Sequence, residues 1–262
     1  MRYKAEAHTD KGIKKSINQD ALLIKQAKSR KTGHICMACL CDGMGGLSCG
    51  EVASSTFIDR MDKWFRHELP AALERENVTT QLDDDYTNKA DYWNQIELQW
   101  NEIAQRTNIE LAKFGKENGI KLGTTVAAVI VIDGVFMTMS VGDSRIYIIR
   151  KDELEQISHD HSYVQKEIDE GRMTIEEAAE SEKKSVLLQC IGASNVVKPD
   201  FKRGRLNEGD CAFICSDGLW RKVLPSEIVQ KAQNKKGLKE LTELAKQRGE
   251  TDNISGLIVS IK

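Results

Sequence analysis

The chain has 262 residues, of which 40% are hydrophobic and 30% charged, the balance of a folded globular protein rather than a disordered one. A net charge of −2 offers no basic footprint for nucleic acid. The densest apolar run, Val126 to Ile132, is far short of the roughly 20 residues needed to cross a bilayer, and the opening MRYKAEAHTD lacks the apolar core of a secretion signal, so a cytoplasmic chain without membrane contact is expected.

In chain order, RYKAEAH, DALLIKQ and HICMACL are short apolar runs of strand length, separated by Asp, Gly and Lys. Cys36, Cys39 and Cys41 lie in the third run, where alternation would send Cys36 and Cys39 to opposite faces. They are expected as buried thiols rather than zinc ligands. From about Ser48, Ala53, Phe57, Met61 and Trp64 or Phe65 recur at helical spacing, and Pro70 marks the end. Residues 68–90 are polar, include Asp83-Asp84-Asp85, and are expected as a solvated insertion. Then Trp93, Ile96, Trp100, Ile103, Thr107, Leu111 and Phe114 predict a helix of about four turns with one apolar face, closed at Gly119.

Beyond Gly119 the period shortens. TTVAAVIVI, Asp133-Gly134 and VFMTMSV predict a tight hairpin, and RIYIIR a further strand. SYVQKEIDEG and TIEEAAES predict helices, the second opened by a capping box of Thr174 and Glu177. CAFICSDG reads as a strand, PSEIVQKA and LKELTELAKQR as helices, and NISGLIVSIK as a last strand. Strands clustered in hairpins, with helices between the clusters, predict antiparallel sheets covered by helices, an α+β architecture. Three prolines and no linker-like tract predict one domain over 1–262.

Two places share a local pattern. In MACLCDGMGG and AFICSDGLW an apolar strand is expected to end in Asp-Gly, which projects Asp42 and Asp217 from a rigid base. Asp252, in ETDNISGLIVSIK, stands just before a strand. Strands that are neighbours in a sheet would bring the three carboxylates to one edge, where their hard oxygens suit Mg²⁺ or Mn²⁺. A single Asp-Gly is more often a turn. Here, however, TDKGIKKSINQD (Thr9 to Asp20), CDGMGG (Cys41 to Gly46), LGTT (Leu122 to Thr125), VGDSRIY (Val141 to Tyr147), CSDGLW (Cys215 to Trp220) and TDNIS (Thr251 to Ser255) follow one another across nearly the whole chain. In these motifs and their order the sequence resembles the metal-dependent protein phosphatases of the PPM, or type 2C, family in their bacterial form.

The resemblance implies a four-layer α-β-β-α sandwich, with two central antiparallel sheets flanked by helices. It implies two core Mn²⁺ or Mg²⁺ ions held by Asp42, Asp217, Asp252 and the Gly43 carbonyl, with Asp20 orienting water. It further implies hydrolysis of phosphoserine or phosphothreonine on proteins by a water nucleophile, with a basic residue, Lys15, neutralising phosphate charge and no covalent phosphoenzyme. Asp143 resembles the residue that, with Asp217, recruits a weaker third ion, and residues 160–192 resemble a flap beside the active site. A Ser/Thr kinase is the implied counterpart, and a monomer is expected. Two positions depart from the pattern. Lys15 stands where the family usually has Arg, with Lys14 next to it as an alternative phosphate ligand. Met44 stands where eukaryotic members have His, and His159 and His161 are expected as exposed loop residues. The competing readings are a catalytically weak regulatory domain of the same fold and another two-metal hydrolase such as a nuclease. The full set of aspartates and the acidic balance oppose them.

Overall fold

The computed structural model describes residues 1–44, 49–74 and 91–262. Among these, β1 (Tyr3–Asp10), β2 (Asp20–Ser29), β3 (Gly33–Asp42), β4 (Val126–Ile132), β5 (Val135–Val141), β6 (Arg145–Arg150), β7 (Glu153–Gln156), β8 (Asp200–Arg205), β9 (Cys211–Cys215) and β10 (Ile254–Ile261) form two antiparallel sheets. One has the order β1-β10-β9-β6-β7, the other β2-β3-β4-β5-β8. The predicted hairpin is present: Asp133 and Gly134, both at positive φ, turn β4 into β5.

Alternation within each strand divides the side chains among three layers of core. Cys36, Ala38 and Leu40 of β3, with Ala127, Val129 and Val131 of β4, meet Ile146, Ile148, Ala212, Ile214, Leu257 and Val259 between the sheets. The opposite face of β3 carries Ile35, Met37, Cys39 and Cys41 under α1 (Gly50–His67) and α3 (Asp91–Asn118). Trp64 of α1 and Trp100 of α3 are fully buried there, edge to face with ring centroids 5.4 Å apart. Such a pair contributes about 0.5–1.5 kcal/mol beyond its buried area. On the other outer face, Tyr147, Phe213 and Ile258 pack under α6 (Asp217–Trp220), α7 (Pro225–Ala232) and α8 (Gly237–Gln247). The layers are therefore helix, sheet, sheet, helix. The expectation for Cys36, Cys39 and Cys41 also holds: all three are buried free thiols, and burial pushes Cys36 up to about 12.

Several expectations are corrected. Residues 69–74, within the segment read as a solvated insertion, form a short helix, α2 (Leu69–Glu74). The remainder of that segment, with Asp83 to Asp85, lies outside the described residues, as do Gly45, Gly46 and Ser48. α3 is 28 residues long, well beyond four turns, and Phe114 near its end is exposed, because the buried stripe runs through Leu111 and Gly115 and turns Phe114 away from it. Asp217 opens α6 rather than closing a strand: β9 stops at Cys215, and the chain turns through Ser216 into the helix.

Antiparallel pairing brings the start of β2, the end of β3, the start of β4 and the end of β5 to one end of the sandwich. The end of β1, the start of β6, the end of β9 and the start of β10 reach the same end of the other sheet. The connections that pass between sheets there, 11–19 and 142–144, leave regular pairing, so their side chains are available for a site.

Candidate active site

At that end a cavity of about 830 Å³ is lined by Lys15, Asp42, Asp143, Asp217, Arg221 and Asp252. Asp42 ends β3 and stands across the ladder from Asp20, the first residue of β2. Its backbone is clamped on both sides. The amide donates to Thr125 Oγ1 at 3.0 Å, while its carbonyl accepts from the Thr125 amide and from Thr124 Oγ1, both at 2.9 Å. Thr125 in turn meets Ser144 Oγ at 2.7 Å, next to Asp143. The bonds that hold the following turn use the Gly43 amide, to Gln19 at 3.1 Å, and the Met44 amide, to Gly123 at 3.0 Å. They leave the Gly43 carbonyl out of the pairing. Close approach requires glycine at two points. A Cβ on Gly43 would lie 2.4 Å from the Gly50 carbonyl oxygen, and one on Gly218 2.1 Å from the Asn253 carbonyl oxygen, so Asp217 and Asp252 could not be brought side by side.

Asp252 precedes β10, with its amide bonded to Glu250 at 2.9 Å. The next residue, Asn253, is buried and fastens the whole 11–19 connection. Its Oδ1 accepts from the Gln19 amide at 2.9 Å, and its Nδ2 donates to the carbonyls of Lys11 and Ile17 at 3.0 and 3.1 Å. This connection carries the two candidate lysines. Lys15 is half-buried, lines the cavity and reaches Asp252 at 2.9 Å; Lys14 is exposed.

The carboxylates repel one another. Asp42 and Asp217 keep some surface open to the cavity, whereas the carboxylate oxygens of Asp20 are buried; protein encloses all three on most sides, and that depth governs the cost of their charge. Burial and the negative charges of Asp20 and Asp217 hold Asp42 well above the usual carboxylate range. Burial pushes Asp143 up to about 7, with Asp217 adding to the rise and Arg221 opposing it. Asp217 is also raised, by burial first, with Arg221 opposing the rise and Asp252 adding to it. Burial pushes Asp20 up to about 7 as well; neither of its oxygens has a donor in bonding position, and the nearby Ser255 and Ser216 hydroxyls offset the burial only in part.

Two cations answer this charge. Burial works against Lys15, but Asp252, Asp42 and Asp217 outweigh it and raise its pKa. Arg221, one helical turn after Asp217, pairs with Asp217 at 2.7 Å and Asp143 at 3.2 Å. With these cations interleaved, no three carboxylates among the described residues close into a ready-made cage. The donor set nevertheless fits hard divalent ions. It offers four aspartate side chains on one cavity, an unbonded carboxylate at Asp20 behind them, and more negative charge than Lys15 and Arg221 balance.

Part of the segment 160–192, which the resemblance likens to a flap, forms one wall. α4 (Tyr163–Asp169) is capped by Ser162, and α5 (Ile175–Glu180) carries the predicted box of Thr174 and Glu177. Ser185, Leu187, Leu188 and Cys190 face the cavity, and the segment is tied back where Ile191 pairs with Thr124. His159 is exposed, as expected. His161 is not: it is buried, its Nδ1 accepts from the Gly142 amide at 3.2 Å and its Nε2 meets Asp200 at 3.0 Å. His161, between Asp160 and Ser162, carries no local sign of those partners, which stand 19 and 39 positions away in the chain.

Arg221, Asn253 and Thr125 are the residues that reading the sequence missed. Thr125 and Asn253 stand inside the LGTT and TDNIS motifs with no role read for either, and Arg221 left its i,i+4 spacing from Asp217, hidden while the segment was read as the end of a strand.

The family profile described as protein phosphatase 2C matches residues 8–256. Protein phosphatase PhpP of Streptococcus pneumoniae is 30% identical over 97% of this chain and 95% of its own. The crystal structure of serine/threonine phosphatase Stp1 from Staphylococcus aureus superposes with a TM-score of 0.81 at 27% identity, covering all of this chain and 96% of that one. The catalytic domain of the serine/threonine protein phosphatase PstP, solved with two manganese ions, gives a TM-score of 0.71 at 26% identity, over 98% and 97% of the two chains.

Proposed function

This chain belongs to the protein phosphatase 2C family, a serine/threonine phosphoprotein phosphatase, and from that membership we propose how its cavity works. Asp42, Asp217, Asp252 and the Gly43 carbonyl would hold two divalent ions, with Asp20 behind them. Manganese is the metal of choice, by analogy with the two ions of PstP. When bound, such ions acidify water and neutralise charge on the phosphoryl oxygens. The chain's own residues do the rest. Thr124 and Thr125 keep the Asp42 carboxylate aimed into the cavity, Asn253 holds the Lys15 loop against Asp252, and Lys15 offers a positive charge to the phosphate. Cys36, Cys41, Cys190, Cys211 and Cys215 take no part, since burial holds their thiols protonated. The reading extends to a single domain with a flap over residues 160–192, a monomer acting in the cytoplasm, and a Ser/Thr kinase that supplies the phosphorylated proteins.

One observation carries this: Asp42 at the end of β3, Asp143 between β5 and β6, Asp217 at the start of α6 and Asp252 just before β10 converge with Lys15 on one cavity. The test is release of phosphate from a phosphothreonine peptide with Mn²⁺ and with EDTA, beside a plasmid incubated in parallel. Activity that needs Mn²⁺, with intact plasmid, is expected. Undiminished activity in EDTA would overturn the metal assignment, and no activity at any metal concentration would favour a binding domain.

Lys15 gives a second expected result. Lys15→Ala should raise KM for the phosphopeptide about tenfold, the low end of what a charge-assisted hydrogen bond is worth, because the ammonium is partly screened by water. kcat should fall less, since the charge assists ground and transition states alike. Lys14→Ala should leave both constants near wild type, as its side chain is exposed. Steady-state kinetics on the two variants decides the matter; the opposite pattern would move the phosphate contact to Lys14.

A further inference from the structure

Asp143 lies where β5 of one sheet passes into β6 of the other, and Asp217 opens α6. A cation shared by these two carboxylates would tie the sheets together at the mouth of the cavity. The structure already contains one. Arg221 Nη1 is 2.7 Å from Asp217 Oδ2 and its Nη2 is 3.2 Å from Asp143 Oδ2. The same Nη2 lies 3.4 Å from the Lys184 carbonyl, in the flap. The guanidinium sits 5.4 Å from the Trp220 ring, and Trp220 is itself held in place. Its indole N–H donates to the Asp143 carbonyl at 3.0 Å, and Arg145 stacks on it at 3.5 Å. Arg145 in turn is fixed by Asp160, with contacts of 2.8 to 3.1 Å.

We propose that Arg221 is a built-in cation that takes the place of a third metal ion, so that this enzyme binds two divalent ions and closes its Asp143–Asp217 position with a guanidinium. The proposal rests on the two-ion reading given above. A divalent ion joining Asp143 and Asp217 would compete for two carboxylates whose Oδ2 atoms Arg221 already holds, and would face a guanidinium that cannot shed its proton. Moving the arginine away would strand its charge in a largely buried place, its side chain being only 19% exposed. Lysine would not serve equally, because only a planar fork reaches both carboxylates and the flap carbonyl at once. Arg221 therefore neutralises the charge for which a loosely held ion would otherwise be recruited. It also couples that neutralisation to the flap through Lys184.

The experiment counts Mn²⁺ ions per chain, by titration calorimetry and by electron paramagnetic resonance of the unbound ion, in wild type, Arg221→Met, Asp143→Asn and the double variant. Wild type and Asp143→Asn should each bind two ions. Arg221→Met, which removes the charge but keeps the length, should bind a third, weaker ion, and adding Asp143→Asn should abolish it. A third ion in the wild type that disappears in Asp143→Asn would overturn the proposal, as would Arg221→Met remaining at two. If Arg221→Met does not fold, as circular dichroism would report, the wild-type and Asp143→Asn counts still decide. A wild type that binds no Mn²⁺ would sink the underlying two-ion reading and this proposal with it, an outcome distinct from a count of three.

Discussion

Asp217→Asn is expected to lower kcat/KM for a phosphopeptide by at least about 10³-fold, roughly 4 kcal/mol of transition-state stabilisation, and Asp252→Asn to do the same. Each change removes one charged oxygen donor from the cavity while keeping the shape of the side chain. The folds should survive. Asp217 is held above its normal pKa by burial and by Asp252, so making it neutral relieves repulsion, and Arg221 keeps Asp143 as a partner. In Asp252→Asn, Lys15 loses its partner but is partly exposed to water, which limits the cost. Kinetics at saturating Mn²⁺, with urea denaturation as the control for folding, makes the measurement. Retention of a tenth of wild-type activity would remove that residue from the catalytic centre.

The largest effect on stability is expected at Asp160, which takes no part in the chemistry. Its side chain is 4% exposed and receives three hydrogen-bond contacts from Arg145, which burial disfavours as a cation but Asp160 holds charged. Asp160→Ala leaves that guanidinium inside the protein with only the Tyr147 hydroxyl and the Trp220 face for company. Breaking a buried pair from one side costs about 3–5 kcal/mol. For a chain of this size that is a fall in Tm of roughly 6–20 °C. Arg145→Met with Asp160→Leu should recover much of the loss, because no charge is then stranded. A single variant within about 1 kcal/mol of wild type by denaturant titration would show that water or a rearranged side chain takes over from Asp160. Activity should fall as well, since Arg145 stacks on the tryptophan that holds the Asp143 carbonyl.

Patterns set by neighbours in the chain were legible without coordinates. The apolar runs HICMACL and VAAVIVI, the Asp133-Gly134 turn, the stripe along α3 and the Thr174 box all depend on residues a few positions apart, and each is present. Two strands were not legible. β7, ELEQ, and β8, DFKRGR, lie at sheet edges with mostly exposed side chains, so they have no apolar alternation to display. They are strands because β6 and β5 offer them backbone partners. The same reason explains the missed turn after β9. Nothing in CSDGLW says where pairing stops, but the ladder to β10 ends at Cys215, and the freed chain coils into α6.

Residue order by itself therefore determined the pattern of helices over antiparallel sheets, through local periodicity, and the family resemblance, through short motifs; the four layers and the proposed aspartates are what that resemblance implies. Only the tertiary structure decided which cation answers which carboxylate. Lys15 meets Asp252 across the β1–β2 and β10 connections, and Arg221 meets Asp143 from 78 positions away. It likewise buried His161 between Gly142 and Asp200, and made Asn253 the staple of the lysine-bearing loop. Such pairings depend on distances of a few ångströms between segments that share no sequence neighbourhood, and Coulomb energy falls with distance in space, whatever the separation along the chain.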